Sequence, residues 1–157
     1  MSVIALIRAN VPEESTTRTR LRKSGCSLNK QGVPTPNLIV DLDKAGLPGD
    51  QSRADFLFVS DESGGWVVPI EMKRGAADVA HAARQRQSSA NKADEWIATQ
   101  EPIKNFCAVL ASGGGPRKHE ATLLRSTFIT FGNRKHPIQP IRCHGKLQDA
   151  LENVTSR

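Results

Sequence analysis

The chain has 157 residues and carries 22 Lys and Arg against 16 Asp and Glu, a formal net charge of +6. This length accommodates one domain with a hydrophobic core, and 38% hydrophobic and 24% charged residues are typical of a globular protein. No apolar run approaches the roughly 20 residues of a membrane-spanning helix, and the opening MSVIALIRAN lacks the features of a signal peptide. The composition therefore predicts a single basic, soluble domain over residues 1–157.

The cysteines bear on the redox environment. They are three in number, widely spaced and in no Cys-x-x-Cys pair, which argues against a disulfide framework and a cysteine zinc site and indicates the cytoplasm. Cys107 lies in an apolar run and is predicted to be a core residue. Cys143 followed by His144 is a weak metal signal, because no second pair accompanies it.

The first half of the chain is predicted to begin with a short helix over 12–24, with two acids in its first turn and Gly25 as its stop. Three strands follow it, over 37–42, 53–60 and 66–73, and the last two form a hairpin around a DESGG turn. Pro69 predicts an edge strand, a bulge, or a position where no ladder hydrogen bond is needed.

The second half contains the strongest helix pattern and the remaining elements of the domain. The predicted elements are a helix over 76–98, a strand over 106–111, a helix over 117–126, strands over 127–131 and 137–143, and a final helix over 146–153. Together the two halves predict an α/β domain with an αβββαβ core, a mixed central sheet and a C-terminal β/α extension.

The predicted hairpin brings charged side chains together. Residues two apart on a strand share a face, so Glu71 and Lys73 project together. If the turn is centred on Ser63, residues whose numbers sum to 126 face each other, and Asp55 stands opposite Glu71. Two facing carboxylates are destabilising unless a cation lies between them, and Mg²⁺ accepts one or two carboxylates and keeps waters for a phosphate to displace. This arrangement indicates metal-assisted phosphodiester hydrolysis.

The segment Asp55-FLFV, a turn, and VVPIEMK with Glu71-x-Lys73 resembles the PD-(D/E)xK nuclease superfamily, which includes restriction endonucleases, Holliday-junction resolvases and RecB-type nuclease domains. The resemblance covers about residues 12–111, leaving 112–157 as a basic extension, and its specific part is 53–73. It implies a Mg²⁺-dependent nuclease in which Mn²⁺ substitutes. By the resemblance, the metal ligands are Asp55, Glu71 and the backbone carbonyl of Met72, and Lys73 activates water or stabilises charge.

Two further positions are candidates through the same resemblance. RecB-like members carry a helix glutamine after this strand, and Gln87 falls on the apolar face of the helix over 76–98. Resolvases add an acid on the first helix, a place that Glu13 or Glu14 would fill. The alternatives are a boundary glutamine that solvent satisfies and acids that favour the helix dipole.

The basic residues favour an anionic partner. Seven Lys and Arg lie between residues 117 and 146 against one acid, and Arg117, Lys118, Arg134 and Lys135 are the predicted nucleic-acid-binding residues. A second basic cluster comprises Arg18, Arg20, Arg22 and Lys23. DNA is the expected substrate and RNA is not excluded. The small chain indicates a homodimer or a subunit of a larger assembly.

Two other functions are consistent with the same residues. One is a non-catalytic module on the same fold that binds nucleic acid or a protein. The other is a structural subunit whose basic surface meets an acidic protein. The intact trio of Asp55, Glu71 and Lys73 favours the enzyme, because a degenerate copy usually loses one of the three.

Overall fold

The computed structural model describes residues 2–17, 20–49, 53–75, 79–97, 103–114 and 118–155. Within these residues the elements in chain order are α1 Val3–Arg8, β1 Arg22–Lys23, β2 Cys26–Ser27, β3 Asn37–Asp41, β4 Phe56–Ser60, β5 Trp66–Lys73, α2 Val79–Ile97, β6 Asn105–Phe106, β7 Ala108–Ser112, α3 Lys118–Ser126, β8 Phe128–Phe131, β9 Arg134–Arg142 and α4 Leu147–Thr155. None of the helices in these ranges has both the length and the apolarity that crossing a bilayer requires.

The sheet is mixed, as predicted. Within the described residues it has seven strands, in the order β3-β4-β5-β7-β9-β8, with β6 also paired to β5. Strands β3, β4 and β5 run antiparallel to one another, β5, β7 and β9 run parallel, and β8 is antiparallel to β9. One edge of the sheet therefore contains the last residues of β3, β5, β7 and β9 and the first residue of β4. We call this edge the carboxyl edge.

Each face of the sheet is covered by a separate hydrophobic cluster. Helices α1, α2 and α3 pack on one face, where buried residues such as Ile7, Ala90 and Leu124 meet Leu57 and Leu110 of the sheet. Helix α4 and the two-stranded ribbon β1–β2 cover the other face. Alternation along β5 places Val67 in the first cluster and Val68 in the second.

The predicted helix over 12–24 is wrong. Glu13–Ser15 form a single 3-10 turn, and the chain then forms the ribbon β1–β2 around Ser24 and Gly25, which both have positive φ (52° and 78°). Positive φ at both central residues is the signature of a tight hairpin turn, so Gly25 makes a turn and does not end a helix. The segment offers only Leu21 as a large apolar side chain, and a helix there would have no face to bury.

Helix α1 begins at Val3 and was not predicted. The hydroxyl of Ser2 accepts a hydrogen bond from the Ala5 N–H, and Val3 and Ile7 are buried one turn apart. The sequence signals for this helix were the serine at its N-cap, Ser2, and the apolar residues Val3 and Ile7, which are spaced by four. With α1 in place, the described elements run α1, the ribbon β1–β2, the three sheet strands β3, β4 and β5, then α2, β6 and β7, followed by the C-terminal β and α elements.

The hairpin of β4 and β5 has the predicted register. Phe56 pairs with Ile70 and Leu57 with Pro69, so the numbers of paired residues sum to 126. Pro69 lies within a central strand, at the break between β6 and β7, where no residue of either strand pairs with it. Of the three predicted explanations for Pro69, the missing ladder hydrogen bond is therefore the one observed.

The cysteine prediction requires a correction. Cys26 of β2 and Cys143, directly after β9, form a disulfide, and Cys107 is the buried core residue that the sequence predicts. The two bonded cysteines are 117 residues apart, and only the tertiary fold brings them together. The expectation of a reducing cytoplasm was based on unpaired cysteines, and the disulfide removes that support. It also rules out the Cys143-His144 metal pair.

Candidate active site

The carboxyl edge brings Asp55 and Glu71 together. Asp55 directly precedes β4, and its Oδ2 accepts a hydrogen bond of 2.8 Å from the Met72 N–H of β5. Neighbouring residues Leu57 and Val67 belong to the cluster under α2, so by strand alternation Asp55 and Glu71 face the same side. The structure thus has the carboxylate pair that the sequence predicts.

Glu71 is buried and incompletely hydrogen-bonded. It is 4% exposed, and its Oε2 has no hydrogen-bond partner among the described residues. The pKa of Glu71 is raised to about 8, first by burial and then by the negative charge of Asp55 and a hydrogen bond with the Asp55 side chain. Loss of hydration on burial disfavours the charged form of a carboxyl group. At neutral pH the Glu71 carboxyl is therefore mostly protonated.

Lys73 lies two residues beyond Glu71 on the same face and is partly exposed. Its positive charge lowers the pKa of Glu71, although burial and Asp55 outweigh it. The residue that follows β7 holds the backbone of Lys73 in place, because the Gly113 N–H donates to the Lys73 carbonyl at 2.9 Å. A Cβ at Gly113 would lie 1.8 Å from the Arg74 carbonyl oxygen, so this close approach requires glycine. The lysine therefore extends from a rigid strand end beside the acids.

Arg86 of α2 is a member of this site that the sequence analysis missed. It is fully buried, and in the part of the chain that the structure describes none of its three guanidinium nitrogens has a hydrogen-bond partner. Burial lowers its pKa to about 10, while the charges of Glu71 and Asp55 oppose that decrease. An unpaired buried cation is costly, and the two carboxylates are the groups that compensate it. Ala82, Arg86 and Ala90 are spaced by four residues and are all buried on one face of α2. This spacing is the sequence signal that would have indicated a buried arginine.

Lys23 of the ribbon is the second missed member. Its ammonium lies 3.9 Å from Asp55 Oδ1 and 3.9 Å from Asp41 Oδ1, and it also forms an ion pair with Asp43. Asp43 is paired in turn with Arg53, whose Nε lies 3.0 Å from its Oδ1. A lysine 32 residues before Asp55 in the chain therefore supplies a positive charge beside the Asp55 carboxylate.

The oxygen atoms of Asp55, Glu71 and the Met72 backbone are ligands of the kind that a hard cation with few protein ligands takes. Among the described residues, no group of three or more His, Cys, Asp and Glu side chains could hold a metal ion, so the chain offers a carboxylate pair. Within a strand the N–H and C=O of one residue point to the same side. Because the Met72 N–H points to Asp55, its carbonyl is directed to that side as well. Mg²⁺ commonly takes one or two carboxylates and completes its shell with water.

Gln87 is not brought to the acids. Its amide hydrogen-bonds both backbone groups of Thr130 in β8, accepting from the N–H at 2.8 Å and donating to the carbonyl at 2.9 Å. It also donates to Asn91 Oδ1. Strand β8 is the sheet edge three strands from β5, about 14 Å away at the usual strand spacing. Gln87, the residue predicted as the RecB-like glutamine, therefore satisfies backbone hydrogen bonds of the edge strand β8.

Replacing Gln87 by alanine is expected to lower the free energy of unfolding by about 1–2 kcal/mol, because Thr130 loses two hydrogen bonds. Thermal denaturation measures this loss, with Gln31→Ala, at an exposed position, as the control. Metal binding at the acid pair should be unchanged. A variant with normal stability and impaired metal binding would contradict this assignment.

The other predicted residues lie elsewhere. Glu13 and Glu14 are exposed in the 3-10 turn, and no described hydrogen bond or ion pair joins them to the acids. Arg134 and Lys135 begin β9 and are exposed. Since β9 ends at the carboxyl edge with Arg142, they lie about 23–26 Å from that edge along the strand.

The remaining two predicted nucleic-acid-binding residues are only partly covered by the structure. Arg117 lies outside the described residues, and Lys118 is the first residue of α3. Comparison with protein-family models, with curated proteins and with solved structures finds no match to this chain. The assignment of a function therefore depends on the geometry of the carboxyl edge.

Proposed function

We propose that this protein is a Mg²⁺-dependent nuclease of the PD-(D/E)xK type that hydrolyses phosphodiester bonds of DNA. The observation that carries the proposal is the pairing of Asp55 with the buried Glu71, with Lys73 on the same face. The order of elements from α1 to β7 is also compatible with the αβββαβ core of that superfamily.

The unsatisfied Oε2 of Glu71 supports the assignment of a cation site. A buried carboxylate oxygen without a donor is costly in a folded protein, and a divalent ion would satisfy it. Asp55, Glu71 and the Met72 carbonyl are the groups that would hold the ion. When bound, it would lower the pKa of a bound water and neutralise charge on the phosphate.

The residues of the chain have distinct tasks in this proposal. Asp55 and Glu71 provide the negative charge, and the Met72 N–H orients the Asp55 carboxylate. Arg86 balances the pair from below, where it is buried and has no access to substrate. Lys73 is partly exposed, and its Nζ is the group that orients the attacking water or stabilises the charged phosphate oxygens.

A second candidate function follows from the cations already present. Arg86, Lys23 and Lys73 compensate the acids without any metal, as expected for an internal ionic network in a non-catalytic binding module. In that case added Mg²⁺ or Mn²⁺ changes nothing. Thermal denaturation with and without 5 mM Mn²⁺ separates the two functions, since an ion that binds only the folded state raises its melting temperature.

The decisive variant is Lys73→Ala. We expect cleavage of plasmid and oligonucleotide DNA with Mg²⁺ to decrease by about 10²-fold or more, while DNA binding in EDTA persists. Lys104→Ala is the matched control, because Lys104 is exposed and precedes β6 at the opposite edge of the sheet. Equal cleavage by the wild type and Lys73→Ala would contradict the proposal. So would the absence of cleavage of any DNA or RNA substrate by the wild type.

A further inference from the structure

A basic pocket of about 590 Å³ lies between the ribbon β1–β2 and the loop that follows β9. Its polar wall is formed by Arg20, Arg22, Lys30 and His144. The apolar floor comes from Leu21 and Leu28, both buried in the cluster under α4. We call this concavity the ribbon pocket.

Among the described residues, none that lines the ribbon pocket is acidic. Within the part of the chain that the structure describes, Arg20, Arg22 and Lys30 form no ion pair. Lys23, their neighbour in the sequence, is fully engaged with acids. The cluster of like charges is therefore left without an internal counter-charge, which favours an anionic ligand.

Hydrogen bonds from two distant segments hold the pocket in shape. The His144 N–H donates to the Ser27 carbonyl at 2.7 Å, and the His144 ring hydrogen-bonds the Ser27 hydroxyl at 2.9 Å. The Asn29 N–H donates to the Gly145 carbonyl, and the disulfide at Cys26 ties the same two segments together. His144 itself has a φ of 68°, which is unusual for a residue with a side chain. The wall is thus preorganised.

The pocket is adjacent to the candidate active site. Arg22 and Lys23 are consecutive residues of β1, so their side chains project to opposite faces of the ribbon. Lys23 reaches Asp55, whereas Arg22 lines the pocket. Arg74, the residue after Lys73, packs its side chain against Gly25 at the ribbon turn. The ribbon therefore has the pocket on one face and the lysine that contacts Asp55 on the other.

We infer that the ribbon pocket binds phosphate groups of a nucleic-acid backbone and positions the strand beside the carboxyl edge. The position relative to a scissile bond rests on the proposed function, but the binding itself does not. Phosphate contacts of this kind orient a nucleic acid without reading its sequence. Lys and Arg are suited to them because each releases counterions from the backbone.

The test compares two double variants with the same loss of charge. Arg20→Gln/Arg22→Gln changes the pocket, and Arg8→Gln/Arg84→Gln removes two exposed arginines from α1 and α2. Fluorescence anisotropy with a labelled 20-bp duplex, in EDTA and at 50–300 mM NaCl, gives the affinity and its salt dependence. We expect the pocket variant to bind about tenfold more weakly, with a salt slope reduced by about two, and the control to bind nearly as the wild type.

Three outcomes would overturn the inference. Equal losses in both double variants would mean that only net charge matters, and no loss in the pocket variant would exclude the pocket. In the third outcome, both proteins bind DNA equally, but inorganic phosphate stabilises only the wild type. That result would indicate that the pocket binds a small phosphorylated ligand. Because EDTA prevents cleavage, a failure of the nuclease proposal would appear only in the separate Mg²⁺ assay.

Discussion

Glu71→Gln is expected to abolish Mg²⁺-dependent cleavage and at the same time to make the protein more stable at neutral pH. The loss of cleavage follows because the amide no longer provides a negative charge for a cation. The gain in stability follows because Glu71 is buried, with its pKa raised to about 8 from an ordinary value of 4.5. Under the proposed function, Glu71 would therefore contribute to activity at the expense of the stability of the fold.

The gain should depend on pH in a defined direction. Below about pH 4.5 the glutamate is protonated in both states and costs nothing. Between 4.5 and 8 the unfolded state loses the proton and the folded state retains it, so wild-type stability decreases as the pH rises. The advantage of the glutamine should therefore increase over this range and level off above pH 8. At pH 8 we expect at least about 2 kcal/mol, or roughly 4–8 °C in melting temperature.

Glu62→Gln is the matched control for this experiment. Glu62 is an exposed acid in the turn between β4 and β5, and its replacement should shift neither the melting temperature nor its pH dependence. Differential scanning calorimetry at pH 5, 6, 7 and 8 measures all three proteins. A Glu71→Gln variant that is less stable than the wild type at pH 8 would show that the ionised carboxylate is needed by Arg86, and the raised pKa would be wrong.

Removal of the disulfide is expected to have the largest effect on stability alone. Cys26 and Cys143 are 117 residues apart, and a loop of this size removes chain entropy from the unfolded state worth about 4–5 kcal/mol. Cys26→Ser/Cys143→Ser should therefore melt on the order of 10 °C below the wild type. The same decrease is expected when the wild type is reduced with dithiothreitol.

The double serine variant also controls for effects of the reductant that do not involve the disulfide. Dithiothreitol should lower the melting temperature of the wild type to that of the variant and leave the variant unchanged. Titration of thiols under denaturing conditions should find one free thiol in the wild type, that of Cys107. Three free thiols, or an equal melting temperature with and without reductant, would contradict the disulfide.

The hairpin that carries the acids was predictable because its information is local. A short turn fixes the register of the strands beside it, so the numbering of Asp55 and Glu71 was enough to place them opposite each other. The predicted strands over 37–42 and 66–73 and the predicted helix over 76–98 likewise agree with β3, β5 and α2. The helix over 12–24 failed because its assignment used end signals alone, without an apolar face between them.

The sequence by itself determined the composition of the acid pair, the face shared by Glu71 and Lys73, and the mixed α/β class, since alternation and turn spacing operate over a few residues. Only the tertiary structure decided what surrounds that pair. Arg86 comes from a helix, Lys23 from a ribbon, and Cys143 reaches Cys26 across most of the chain. These contacts depend on how helices and ribbon pack against the two faces of the sheet, and burial in that packing is what shifts the pKa of Glu71.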